Sequence, residues 1–100
     1  MVDVKFADEA DLNRLLDWCD EAPEFHNKLP QYMDRDDTAV LMMKKDEEVI
    51  GVALLKVKAT EKTGTIWLHL NKEGTESHPQ IMQKSLNWLR QNGAKEYTVI

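Results

Sequence analysis

The sequence contains three histidines, His26, His69 and His78, and histidine is the side chain best suited to move a proton near neutral pH. No two of them stand three or four positions apart, so the sequence offers no pair of ligands on one helical face and we expect no metal site. His69 lies on an alternating segment, and His78 lies at the start of a predicted helix. Both are candidates for a general base. The alternative for His69 is a partly covered ring without a catalytic role, and the alternative for His78 is a capping or solvated residue.

Acidic residues crowd both ends of an irregular stretch, 22–37. Such a run of charge is usually a solvated surface. The alternative is an electrostatic funnel for a cationic partner such as a lysine side chain or another amine. The predicted contacts for such an acceptor or partner are Asp20, Glu21, Glu24, Asp34, Asp36 and Asp37.

Cys19 is the only cysteine, which excludes an internal disulfide framework and a cysteine-rich zinc site. It falls on the apolar stripe of the first predicted helix, among acidic neighbours that would not stabilise a thiolate. We therefore expect a buried small hydrophobe and not a nucleophile. The serines show no nucleophile-elbow motif.

The length of 100 residues predicts a single domain, 1–100. A net charge of -5 argues against nucleic acid and anionic membranes as partners, because these are held mainly by clustered Lys and Arg. The N-terminal residues lack the basic flank and apolar run of a signal peptide, and no apolar run reaches the ~18 residues of a membrane span. We expect an intracellular, cytoplasmic protein.

Hydrophobic periodicity predicts the elements that must position these residues. Residues 2–6 alternate as a short edge strand, and Asp8 caps a helix that runs to Asp20. From Ala22 to Asp37, two prolines predict an irregular connection with at most a short helical turn at 27–33.

Three strands then form an antiparallel meander over 38–43, 49–59 and 65–71. In the third strand the side chains alternate between two faces. Ile66, Leu68 and Leu70 share one face, and Trp67, His69 and Asn71 share the other.

A polar loop is predicted from Asn71 to Ser77, followed by a second helix. Ser77 or His78 caps this helix, with Pro79 in its first turn and Gln80 as a capping-box partner. Gly93 stops the helix by taking a positive φ, and 96–100 form a final strand.

This order of elements resembles the N-terminal two thirds of the GNAT superfamily of acetyl-CoA-dependent N-acetyltransferases. The most similar segments are VIGVALL, after an acidic turn, and LNWLRQNGAKEYTV. The resemblance implies an α+β fold with a mixed, mostly antiparallel sheet and two main helices, in the order β-α-(α)-β-β-β-α-β. The chain ends at Ile100, before the family's last elements, so we expect a truncated or degenerate member.

The resemblance also implies an opening between strands 65–71 and 96–100, in which the pantetheine arm of acetyl-CoA pairs with backbone groups. The family's phosphate-binding loop aligns with residues 73–78, where Glu73 replaces the usual cation and Glu76 a usual glycine. Two carboxylates would then face a pyrophosphate, which weakens binding. The cofactor-binding residues implied are Leu70, Asn71, Glu73, Gly74, Thr75, Glu76, Ser77 and His78.

Two functional hypotheses follow from the resemblance. The first is a degenerate GNAT-like protein, comparable in size to phage-encoded relatives, that has weak or lost acetyl-CoA binding. It would bind a protein partner, or form a homodimer, through its C-terminal edge strand. The alternative is an active acetyl-CoA-dependent N-acyltransferase that acts on a basic amine and is completed, if necessary, by a second chain.

Overall fold

The computed structural model describes all 100 residues, Met1–Ile100, and contains one five-stranded sheet in the order β1-β2-β3-β4-β5. Neighbouring strands are antiparallel except for β4 and β5, which are parallel. This mixed, mostly antiparallel sheet confirms the predicted fold class. The strands are β1 (Val2–Phe6), β2 (Thr38–Lys45), β3 (Glu48–Lys58), β4 (Thr63–Leu70) and β5 (Glu96–Val99).

Helices cover both faces of the sheet. One face packs against α1 and α2, and the other packs against α4. No helix combines the length and the apolar character that crossing a membrane requires. The helices are α1 (Leu12–Trp18), which follows a 3-10 turn at Glu9–Asp11, α2 (Pro23–Met33), α3 (Lys72–Glu76) and α4 (His78–Gln91).

The central strand β3 separates two apolar cores, because its side chains alternate between the two faces. Ala53 and Leu55 join the core beneath α4, whereas Val52 and Leu54 join the core beneath α1 and α2. Burial on both faces explains why β3 reads as a nearly continuous apolar run in the sequence.

The start of the first helical segment confirms the predicted cap at Asp8. The Asp8 carboxylate accepts from the backbone N–H of Asp11, and the Asp11 carboxylate accepts from the backbone N–H of Asp8. That second hydrogen bond, together with Lys5 at 3.0 Å, lowers the pKa of Asp11. The predicted end of this helix at Asp20 is wrong, because α1 ends at Trp18.

The prediction of an irregular connection over 22–37 is wrong for most of that stretch, which forms α2. Pro23 occupies the first turn, where a missing N–H costs little. Phe25 and Leu29, one turn apart, bury their side chains against the sheet. Pro30 lies inside the helix on its exposed side, so tertiary packing overrides the helix-breaking tendency on which the prediction relied.

The predicted polar loop over 71–77 is also wrong, because it contains the short helix α3. The Asn71 side chain caps α3 by accepting from the N–H of Gly74 at 2.9 Å. Helix α4 begins at His78 as predicted, but Ser77 makes no side-chain cap. Gly93 confirms the predicted stop, with φ 97°.

Gly74 allows α3 to lie directly on β3. A Cβ at this position would overlap the backbone carbonyl oxygen of Ile50, which cannot move aside without disturbing the sheet. A Cβ on Gly64 would instead meet only the flexible end of Leu89, at 2.7 Å. The close contact at Gly74 therefore requires a residue without a side chain where α3 meets β3.

We predict that Gly74→Ala lowers the free energy of unfolding by about 1–3 kcal/mol, the range typical of overpacking. Gly64→Ala is the matched control and should cost less, because the new methyl group would meet a side chain and not the backbone of the sheet. Urea unfolding of the two variants measures the difference. Wild-type stability in Gly74→Ala would contradict the close packing of α3.

Candidate functional site

The second half of β4 has one open edge. Strand β5 pairs only with its first half, and the last backbone hydrogen bond joins the N–H of Ile100 to the carbonyl of Ile66 at 2.8 Å. Backbone groups of alternate residues in a strand point to the same side. Leu68 and Leu70 therefore turn their N–H and C=O groups toward this edge, where no strand meets them. An extended polar ligand can pair with these groups as a further strand would.

The side chains of the same stretch divide between the two faces as the alternation predicted. Leu68 and Leu70 pack against the core beneath α4, whereas Trp67 and His69 project toward α1 and α2. The His69 ring lies 5.0 Å from the Trp18 ring and 5.3 Å from the Phe25 ring, centroid to centroid. His69 is therefore part of an aromatic cluster and stands beside the open edge.

His69 also lines an open cleft of about 560 Å³ at the end of α1. Trp18 and Asn71 form part of its wall. Three carboxylates complete the lining, which gives the cleft a strongly negative character suited to an ammonium group. They belong to Asp17, Asp20 and Glu21.

The predicted acidic contacts do not all come together. Asp20 and Glu21 lie in the cleft with His69, but Glu24 is exposed on the first turn of α2 and does not line it. Asp34, Asp36 and Asp37 follow the far end of α2.

Asp37 is already engaged at that far end. The Arg35 guanidinium donates to its carboxylate at 3.0 and 3.1 Å, and this hydrogen bonding lowers the pKa of Asp37. The acidic run thus separates into two groups, of which only the first borders the cleft.

Sequence reasoning missed Trp18 and Phe25 as members of the site. Asp17 belongs to the same acidic run of the sequence as Asp20 and Glu21, and that run was the signal for a site that attracts an amine. Trp18 and Phe25 gave no such signal, because their positions beside His69 depend on how α1 and α2 cross the sheet.

The segment aligned with the family's phosphate loop is closed by its own hydrogen bonds. The Asn71 side chain accepts a hydrogen bond from the N–H of Gly74, and the Asn71 backbone carbonyl accepts one from the N–H of Thr75. Glu73 pairs with Lys45 at 3.4 Å, so its charge is partly compensated, whereas Glu76 has no ion-pair partner. The segment lacks the free glycine N–H groups that cradle a pyrophosphate.

His78 lies at the exposed start of α4 and does not line the acidic cleft. Of the two predicted general-base candidates, only His69 is brought together with acidic side chains. No group of three or more His, Cys, Asp or Glu side chains is arranged to hold a metal ion.

No protein-family model matches the sequence, and no curated protein matches it. Solved structures do match. A ribosomal-protein-alanine N-acetyltransferase from Brucella melitensis superposes with a TM-score of 0.76 at 8% identity, covering 99% of this chain and 78% of that one. A GNAT family acetyltransferase from Staphylococcus aureus gives a TM-score of 0.65 at 14% identity, covering 99% and 85%. The chain has the GNAT fold.

A third GNAT-fold neighbour is an aminoglycoside N-acetyltransferase in complex with CoA. It superposes with a TM-score of 0.77 at 12% identity, covering 100% of this chain and 76% of that chain. The resemblance predicted from VIGVALL and LNWLRQNGAKEYTV is therefore confirmed at the level of the fold. At these identities the GNAT fold carries no residue role across, so the site rests on the geometry of this chain.

Cys19 is fully buried, as predicted, although it lies between Trp18 and Asp20 at the margin of the cleft. Burial raises the pKa of its thiol to about 11. At pH 8 only about one thiol in a thousand would be ionised, so Cys19 is poorly suited to act as a nucleophile.

We predict that a disulfide reagent such as DTNB reacts very slowly with the native protein at pH 8 and at once when the protein is unfolded in urea. The time course of absorbance measures both rates. Rapid stoichiometric reaction of the native protein would contradict the burial and the raised pKa of Cys19.

Proposed function

We propose that this chain is an acetyl-CoA-dependent N-acyltransferase that acts on a basic amine. One observation carries the proposal: the open backbone edge at Leu68 and Leu70 and the acidic cleft at His69 belong to the same four-residue stretch of β4. A thioester along that edge and an amine in that cleft would therefore meet. The names of the structural neighbours, which act on ribosomal-protein alanine and on aminoglycosides, support amine acceptors as the substrate class.

The acceptor would enter as an ammonium ion. Asp17, Asp20 and Glu21 supply the negative potential that concentrates cations in the cleft. The Trp18 indole in the cleft wall offers an apolar and π-rich surface to the methylene groups beside the charge. Holding the amine in one orientation contributes a large part of the rate acceleration, because a positioned reactant avoids the entropy cost of a chance encounter.

His69 would act as the general base. An ammonium must lose a proton before its nitrogen can attack, and a well-placed imidazole contributes about 10²- to 10⁴-fold to such a step. His69 is half-buried in the cleft wall, next to both the carboxylates and the open edge. His78 remains the competing candidate predicted from the sequence.

The proposed donor site fits the pantetheine half of acetyl-CoA better than the nucleotide half. The N–H and C=O groups of Leu68 and Leu70 fit the pantetheine arm, which carries amides that pair as a peptide does. The segment from Asn71 to His78 suits the nucleotide half poorly, because it lacks free glycine N–H groups and, although Lys45 offsets Glu73, nothing offsets Glu76. We therefore propose weak acetyl-CoA binding. When bound, acetyl-CoA supplies the acyl carbon that the amine attacks and the thiolate that leaves.

We predict that His69→Gln lowers kcat for acetyl transfer to spermidine by about 10²-fold or more. Release of free CoA thiol, followed with a chromogenic disulfide reagent, measures the rate. His26→Gln is the matched control, because His26 is also half-buried but lies outside the cleft. His78→Gln separates the two candidate bases. Full activity in His69→Gln would refute the assignment, and no transfer by the wild-type protein to spermidine or an aminoglycoside would refute the function.

A second candidate function is self-association through β5. All four residues of β5 are exposed, and the apolar Tyr97, Val99 and Ile100 are each 44–55% exposed. The outer edge of β5 has no neighbouring strand. Edges of this kind favour strand addition, and we propose a second copy of the chain as the partner.

We predict that the elution mass rises toward that of a dimer between low and high micromolar concentration. Val99→Pro should abolish this rise, because Val99 lies between residues that bond to β4 and therefore turns its N–H to the outer edge of β5, where proline removes the donor. Val99→Ala, which keeps that N–H, serves as the control. A monomer at every concentration tested would contradict the second candidate function.

A further inference from the structure

The imidazole of His69 is held by rings and not by hydrogen bonds. No side-chain hydrogen bond in the chain involves His69. Its neighbours are Trp18, which meets it edge-on at an interplanar angle of 62°, and Phe25, which is tilted by 37°. General-base histidines are more often oriented by a carboxylate or a backbone carbonyl on the second ring nitrogen. In this chain, both ring nitrogens stay free of the protein.

The two rings reach His69 from different elements. Trp18 is the last residue of α1, and Phe25 lies in the first turn of α2. Phe25 is 8% exposed and is fixed in turn by an edge-to-face contact with Trp67, at 6.2 Å between centroids. Edge-to-face and tilted pairs at these distances are favourable geometries for aromatic rings. Contacts with these two rings restrict the orientations that the imidazole can take.

We infer that Trp18 and Phe25 are positioning residues that set the direction in which the His69 imidazole faces the acidic cleft. This inference rests on the proposed function. Trp18 also lines the cleft, so it would touch the acceptor as well. Phe25 does not line the cleft and acts only through His69. Phe25 is therefore the residue at which positioning can be measured apart from acceptor binding.

The test compares Phe25→Leu with Leu29→Val. Phe25→Leu keeps a buried apolar side chain but removes the ring, and Leu29→Val perturbs the same core one helical turn along α2 from Phe25. We expect Phe25→Leu to lower kcat for acetyl transfer about 10- to 100-fold with little change in KM, because a misplaced base affects the reaction step and not the binding of the amine. Leu29→Val should leave kcat within about twofold of wild type.

Proton NMR of the imidazole provides a readout that does not depend on activity. In the wild type the carbon-bound protons of His69, assigned with His69→Gln, should carry ring-current shifts from Trp18 and Phe25. Loss of the Phe25 ring current alone would move these signals, so the diagnostic measurement is the NOE between the His69 and Trp18 rings, whose centroids lie 5.0 Å apart. Phe25→Leu should weaken this NOE because the imidazole turns, and the signals of exposed His78 should stay in place as an internal reference. An unchanged His69–Trp18 NOE in Phe25→Leu would overturn the inference.

The kinetic outcomes separate the two claims. If the wild type transfers acetyl groups and Phe25→Leu retains full kcat, the positioning role is refuted and the proposed function stands. If the wild type transfers none, the proposed function fails and the positioning role fails with it. A fall in kcat together with a weakened His69–Trp18 NOE, both absent from Leu29→Val, supports the inference.

Discussion

The parallel pairing of β5 with only the first half of β4 is the constraint on which the site depends. Beyond Ile66 the strand continues for four residues without a neighbour on that side, so its backbone groups remain available. The pleat of the strand then determines which face of the sheet each side chain occupies. Residues that turn their backbone toward the open edge send their side chains beneath α4, and the residues between them send Trp67 and His69 toward α1 and α2.

The helices on the two faces of the sheet cover this stretch of β4 to different extents. Helix α4 buries Ile81 and Leu89 against one face and thereby holds β4 in place. On the other face, α1 ends at Trp18 and α2 begins at Pro23, so the cleft lies where one helix stops and the next starts. Carboxylates at such a junction remain hydrated and unpaired with lysine or arginine, which keeps the cleft negative.

Much of the fold could be predicted from the sequence, because alternating and helical periodicities are local. The two faces of residues 66–70 and the stop at Gly93 follow from patterns of this kind. Helix α2 could not be predicted, since Pro23 and Pro30 suggest a break and only packing of Phe25 and Leu29 on the sheet outweighs it. The separation of the acidic residues into two groups could not be predicted either, because it depends on α2, which places Asp34 and Asp37 at the opposite end of the helix from Asp20.

The central claim is that a thioester ligand lies along the open half of β4, and amide NMR of labelled protein during an acetyl-CoA titration tests it most directly. The account predicts saturable shifts at the amides of Leu68 and Leu70, with β1 and β2 unaffected. Those strands pair with each other on the far side of the sheet, away from the open edge. Absence of any shift up to millimolar acetyl-CoA, or shifts confined to other strands, would contradict the account.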